Sequence, residues 1–163
     1  MLYFAFGSNM SSRRLRARVA SARFVATARL ACHRLCFHKR GPDGSGKGDA
    51  EWTKNPADQV FGVVFELDAT DKPILDSYEG LGAGYEEKLV ELTTADGARL
   101  AALLYYATDI DAALSPHDWY LDHVLAGARE FHLPQDYINR IAATPTQRDP
   151  DAERARRERA IYQ

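Results

Sequence analysis

Leu2-Tyr3-Phe4-Ala5-Phe6-Gly7-Ser8-Asn9-Met10 opens the chain, and the fold follows from how it is read. The first residues form an apolar run of strand length. Gly7-Ser8-Asn9 ends the run on small, turn-prone residues. An arginine-rich helix over about residues 10–18 comes next. A strand that turns straight into a helix leaves successive backbone N–H groups unpaired and convergent, a place for a carboxylate or an oxyanion. The same residues also read as an ordinary strand-to-helix turn, with Ser8 or Asn9 merely capping.

Outward from this turn, residues 22–38 alternate small, apolar and basic types and read as one or two strands. A glycine-rich loop is expected from Gly41 to about Asp49. Val60 to Leu67 is strongly β-prone, with Gly62 a candidate bulge. Asp68 or Thr70 caps the next predicted helix, which tolerates Pro73 in its first turn, sets Ile74, Leu75 and Tyr78 on one face and ends at Glu79-Gly80. Residues 85–94 and 98–107 form a hairpin around Ala95-Asp96-Gly97. Ser115-Pro116 predicts a helix start with Trp119, Val124 and Ala128 facing inward, and Pro134 opens a last helix carrying Tyr137, Ile138 and Ile141. Strands fill the first two-thirds and helices the last third. That order predicts an α+β fold, a mainly antiparallel sheet or small barrel with helices packed outside it.

The 163 residues suit one compact domain, residues 1–146, followed by a charged extension over 147–163 that reads as a solvated helix or frayed tail. The formal charge of 21 − 23 = −2 gives no bulk field to recruit nucleic acid or a membrane. The longest apolar runs, such as Ala101 to Ala107, are too short to span a bilayer. The N-terminus has neither a basic stretch nor a small-residue cleavage site, so a cytoplasmic location is expected. Cys32 and Cys36 then read as two reduced thiols. A homodimer is left open: Trp52 or Trp119 could seed an interface, and either could equally be core.

Other motifs carry little. Gly41-Pro42-Asp43-Gly44-Ser45-Gly46-Lys47 nearly spells a phosphate loop, but Gly48 stands where Ser or Thr must meet magnesium; a flexible surface loop, able to cover a pocket, is the better reading. The five histidines make no metal-ligand cluster, and no G-x-S-x-G elbow marks a nucleophile. Glu79 is different. It stands at a helix C-terminus, where the macrodipole opposes its charge, and burial there would raise its pKa toward a value useful for proton transfer. It also reads as one solvated glutamate among many carboxylates.

The opening segment resembles the signature of the γ-glutamylcyclotransferases, AIG2-like proteins in which a strand precedes Tyr-Gly-Ser-Asn. Val60-Phe61-Gly62-Val63-Val64-Phe65-Glu66-Leu67 is similar to the family's central strand. Asp76-Ser77-Tyr78-Glu79-Gly80, with Tyr85 soon after, resembles the segment bearing its catalytic glutamate. Ser115-Pro116 to Tyr120, Gly127-Ala128-Arg129-Glu130 and Leu133-Pro134-Gln135-Asp136-Tyr137 resemble its C-terminal helices in order and spacing. The likeness runs from about residue 2 to residue 145.

The resemblance implies a small mixed barrel with flanking helices and neither cofactor nor metal. It implies that a small γ-glutamyl amide is cleaved to 5-oxoproline and a free amine, a cyclising transfer and not a hydrolysis. Carried over, Glu79 is the acid/base and Phe6, Gly7, Ser8, Asn9 and Met10 bind substrate. Tyr105 is the pocket tyrosine, with Tyr106 the alternative; strand alternation lets only one of them line the pocket. Phe6 departs from the family tyrosine by its missing hydroxyl. Donors could be γ-glutamyl dipeptides, γ-glutamyl amines or biosynthetic intermediates, and a non-catalytic binding domain of the same fold is the remaining alternative.

Overall fold

The computed structural model describes every residue, Met1–Gln163. Seven strands and five helices appear. Strand β1 (Leu2–Ala5) leads through a single 3-10 turn, Ser8–Met10, into α1 (Ser12–Arg18). Strands β2 (Arg23–Ala31), β3 (His33–Arg40), β4 (Gly46–Trp52) and β5 (Gln59–Glu66) follow, then α2 (Lys72–Glu79), β6 (Tyr85–Thr94) and β7 (Arg99–Ala107). Helices α3 (Asp118–Glu130), α4 (Gln135–Ala142) and α5 (Ala152–Arg159) end the chain.

Five strands close a barrel in the order β1-β5-β2-β6-β7, while β3 and β4 form a separate ribbon. All barrel pairings are antiparallel except β1 against β7, which meet in parallel at Tyr3 and Leu103. Alternation then divides the apolar residues. Phe4, Val64, Leu92 and Leu104 fill the barrel, whereas Tyr3, Ala5, Val63, Phe65 and Tyr105 join the helices in a second cluster against its outer wall. The mixed α+β barrel is therefore the expected class, and its helical layer lies over the face that carries Tyr3 and Tyr105.

Several local expectations give way to tertiary pairing. Residues 22–38 divide into β2 and β3 at Cys32, whose left-handed backbone (φ 61°) makes the turn; Cys32 and Cys36 are both free. The loop expected to reach Asp49 ends at Ser45, because Gly46 onward pairs with β3. Its glycines permit close packing: a Cβ on Gly46 would lie 2.0 Å from the Phe37 carbonyl oxygen. Gly62 is no bulge. It pairs in register with Ala28, and a Cβ there would strike the Ala5 carbonyl at 2.4 Å. Helix α2 buries only Leu75; Ile74 and Tyr78 are exposed, and its first turn follows Asp71 with no side-chain cap. Helix α3 begins after His117, not Ser115, because the Ser115 and Pro116 carbonyls accept from the Gly46 and Gln147 N–H groups and stay extended. Trp119 is core, whereas Trp52 is exposed. No helix is long and apolar enough to cross a membrane.

Candidate active site

Helix α2 ends because Gly80 takes the left-handed conformation (φ 74°) and its N–H closes on the Asp76 carbonyl. Glu79 thus projects from the last helical turn toward the start of the chain. Its Oε1 accepts from the Asn9 Nδ2 at 2.6 Å and from the Tyr3 hydroxyl at 3.1 Å. Asn9 is oriented by its other end, since Arg18 Nη1 donates to Asn9 Oδ1 at 3.1 Å. An arginine can only donate and a carboxylate can only accept, so these two partners set which way the amide faces. Glu79 Oε2 makes no hydrogen bond, which leaves that oxygen for a ligand.

Burial raises the Glu79 pKa above that of an ordinary glutamate, and the charge of Arg18, the Tyr3 hydrogen bond and the charges of Arg14 and Lys39 oppose the rise. Burial, together with the adjacent Glu79 charge, pushes the Tyr3 phenol well up, so Tyr3 stays a proton donor.

Glu79 stands where two spaces meet. One is a cavity of about 30 Å³ lined by Tyr3, Phe6, Gly7, Ser8, Asn9, Gly48, Glu79, Tyr85, Tyr105 and Tyr120. The other is a broad cleft of about 690 Å³, bounded among others by Ser8, Arg18, Lys39, Asp43, Tyr85 and Arg154. The β3–β4 ribbon closes the small cavity. Gly48 is pinned there by two tyrosines: its N–H donates to the Tyr120 hydroxyl at 2.9 Å and its carbonyl accepts from the Tyr85 hydroxyl at 2.5 Å.

The structure therefore gathers Phe6, Gly7, Ser8, Asn9, Glu79 and Tyr105 around one cavity, and it leaves Met10 out. Met10 is fully buried in the core beneath α3. Tyr105 faces the cavity and Tyr106 the barrel-side cluster, as alternation requires. The Tyr105 hydroxyl itself turns to Asp76, at 2.5 Å. The Phe6 ring packs on Phe4 with centroids 6.2 Å apart; the tyrosines that line the cavity are Tyr3, Tyr85, Tyr105 and Tyr120. Sequence reasoning missed Tyr3, Gly48 and Tyr120. The signal for Tyr3 lay in β1 alternation, which sets it opposite Phe4; Gly48 and Tyr120 become visible only once the ribbon is docked.

The model of the AIG2-like family matches residues 59–141. The γ-glutamylcyclotransferases of Mus musculus and Homo sapiens are each 31% identical to the chain over 150 residues, covering 87% of it and 77% of their own length. The chain belongs to the γ-glutamylcyclotransferase family. A solved structure described as a γ-glutamyl cyclotransferase superposes with a TM-score of 0.87 at 27% identity, spanning 99% of this chain and 98% of the other. Membership of the γ-glutamylcyclotransferases makes this chain an enzyme that cyclises γ-glutamyl substrates.

Proposed function

We propose that Glu79 moves the proton in this cyclisation. The observation that carries the reading is a half-bonded carboxylate: two donors hold Glu79 Oε1, while Oε2 stands free where the cavity opens into the cleft.

A γ-glutamyl amide contains its own nucleophile. Its α-amine attacks its γ-carbonyl, the ring C–N bond forms, and the C–N bond to the leaving amine breaks. Holding the donor folded supplies much of the rate, because the attack is intramolecular. The α-ammonium has a reference pKa of about 8, so a base must first take a proton. Glu79 takes it on Oε2 and returns it to the departing nitrogen; the second proton, shed by the ring nitrogen as the lactam closes, follows the same route, so the amine leaves as its ammonium and one carboxylate serves both steps. Phe6, Gly7, Ser8 and Asn9 hold the glutamyl end. The Gly7 N–H has no acceptor within the protein and is offered to the substrate carboxylate or the developing oxyanion. Met10 supports the turn from behind, and Tyr105 walls the cavity.

The expected donor is a small γ-glutamyl amide. Free Cys32 and Cys36 suit a reducing, cytoplasmic setting.

Glu79→Gln tests the assignment. The amide oxygen can still accept from Asn9 and Tyr3, so the fold should persist while 5-oxoproline release falls by about 10³-fold or more, followed by mass spectrometry. Because burial raises the Glu79 pKa, its charge weakens the fold at neutral pH, and the variant should melt no lower than the parent at pH 7. Near-normal turnover by Glu79→Gln would rule Glu79 out as the proton carrier.

A further inference from the structure

Four tyrosines line the small cavity around Glu79, each from a different element: Tyr3 of β1, Tyr85 of β6, Tyr105 of β7 and Tyr120 of α3. Three of them keep their hydroxyl bonds within the cavity wall. Tyr3 donates to Glu79, Tyr85 donates to the Gly48 carbonyl, and Tyr120 accepts from the Gly48 N–H. Tyr105 is the exception. Its hydroxyl donates to Asp76 Oδ1 at 2.5 Å, and Asp76 does not line the cavity.

The arrangement matches two phenols to two carboxylates. Asp76 and Glu79 stand three residues apart on α2 and so share one of its faces. Strands β1 and β7 meet in parallel at Tyr3 and Leu103, and Tyr105 lies two residues further on the same face of β7. The Tyr3 and Tyr105 rings meet edge-on with centroids 5.9 Å apart. Side by side, Tyr3 answers Glu79 and Tyr105 answers Asp76. Asp76 is itself held by Lys72, whose Nζ lies 2.7 Å and 2.9 Å from its two oxygens and 2.6 Å from Glu87 Oε2 of β6. Burial, then the hydrogen bond and charge of Asp76, push the Tyr105 phenol up, so Tyr105 stays a proton donor.

That donor has to be directed somewhere. Glu79 already takes two donors on Oε1. A third, on Oε2, would fill the oxygen that must receive the substrate proton, and by stabilising the charged carboxylate it would weaken the base. The remaining groups around Glu79 do not compete for that oxygen. Arg14 and Arg18 of α1 and Lys39 of β3 act on it through their charge, and Gly48 holds the hydroxyls of Tyr85 and Tyr120. We propose that Asp76 is a positioning residue that draws the Tyr105 hydroxyl away from Glu79 and so keeps Oε2 free for the substrate. The inference rests on Glu79 carrying the proton.

The test is a cycle of Asp76→Ala and Tyr105→Phe, read as pH profiles of kcat/KM with γ-glutamyl-alanine. The end of α2 should survive Asp76→Ala, because the Gly80 and Leu81 N–H groups bond to the Asp76 backbone carbonyl. In the parent background, Asp76→Ala frees the hydroxyl to turn on Glu79. The acid limb should move down by about one pH unit and kcat should fall about tenfold. In the Tyr105→Phe background no hydroxyl is left to turn. The same change should then cost less than about twofold in kcat, and the limb should feel only the lost Asp76 charge. Equal losses and equal limb shifts in the two backgrounds overturn the proposal, because a packing role for Asp76 does not depend on that hydroxyl. Should Asp76→Ala fail to fold, Tyr105→Phe alone decides. Its limb should stay where the parent's lies, whereas an upward move would show that the hydroxyl already donates to Glu79 and would overturn the proposal. Glu79→Gln keeps the two readings apart: near-normal turnover by that variant sinks both, while its inactivity combined with a cycle that shows no coupling sinks the role of Asp76 alone.

Discussion

Arg18 links two parts of the site at the scale of single residues. Its guanidinium orients Asn9, and its charge is the strongest influence opposing the rise in the Glu79 pKa. A base must be deprotonated to act, so kcat/KM should climb with pH through the Glu79 pKa. Burial raises that pKa, and the acid limb should therefore lie above the ordinary glutamate value of about 4.3. Removing Arg18 deletes the largest opposing influence. Arg18→Leu should shift the acid limb to higher pH, with the activity loss greatest at low pH and narrowing as Glu79 ionises. A pH profile with γ-glutamyl-alanine reads this directly. A limb that stays in place or moves downward would show that Arg18 does not hold the carboxylate charged.

Between elements, the turn is held by the helix that crosses it. Helix α3 passes so close to the turn that a Cβ on Gly127 would fall 2.4 Å from both Met10 C and Ser11 N. In an isolated helix, Gly127→Ala would gain about 1 kcal/mol of propensity. Here the clash is with backbone, which cannot rotate away, and overpacking should prevail with a net loss of about 1–3 kcal/mol. Asn9 lies one residue before Met10, so kcat should fall as well. Denaturant unfolding and 5-oxoproline assays on one sample check both effects. The same contact shows where sequence legibility stops. The β6–β7 hairpin was readable from its own residues, because the turn and alternation are local. Alternation also set Tyr105 and Tyr106 on opposite faces, but it did not say which of them lines the cavity. The start of α3 was not, because Ser115 and Pro116 give their carbonyls to distant N–H groups. Gly46 and Gly48 spelled a loop because glycine signals flexibility and close approach alike, and only docking separates the two meanings. Arg18 belongs to an arginine-rich helix in which nothing local marks it, and only the packing of that helix brings it to Asn9.

At the scale of the whole molecule, the charged tail is part of the packing. Residues 147–163 read as solvated because they carry so much charge, yet α5 lies against α1 and α3 and buries Ala155. Arg14 is 5% exposed and is paired with Glu158, which also bonds to His123 at 3.0 Å. Asp149 takes the Trp119 Nε1 at 2.7 Å and both ends of the Arg154 guanidinium. Arg14, Asp149, Arg154 and Glu158 lie outside the residues that the family model matches, and Arg154 and Glu158 stand at the cleft wall. They also give the fold a pH signature. Hydrogen bonds from His123 and Arg14, with their charges, outweigh burial and hold the Glu158 pKa down at about 2, and Arg154 holds Asp149 lower still. A carboxylate depressed in the folded state adds stability above its unfolded pKa of about 4.3, and that contribution is lost as pH falls toward the folded value. Glu158→Gln leaves Arg14 buried without its counter-charge and should cost about 2–4 kcal/mol at pH 7. Unfolding followed in urea across the acid range should show the gap between parent and variant shrinking below about pH 4 and closing near pH 2, because the parent then loses the same charge by protonation. A freely solvated tail would give a difference within about 0.5 kcal/mol at every pH, and that flat result would detach α5 from the stability of the barrel.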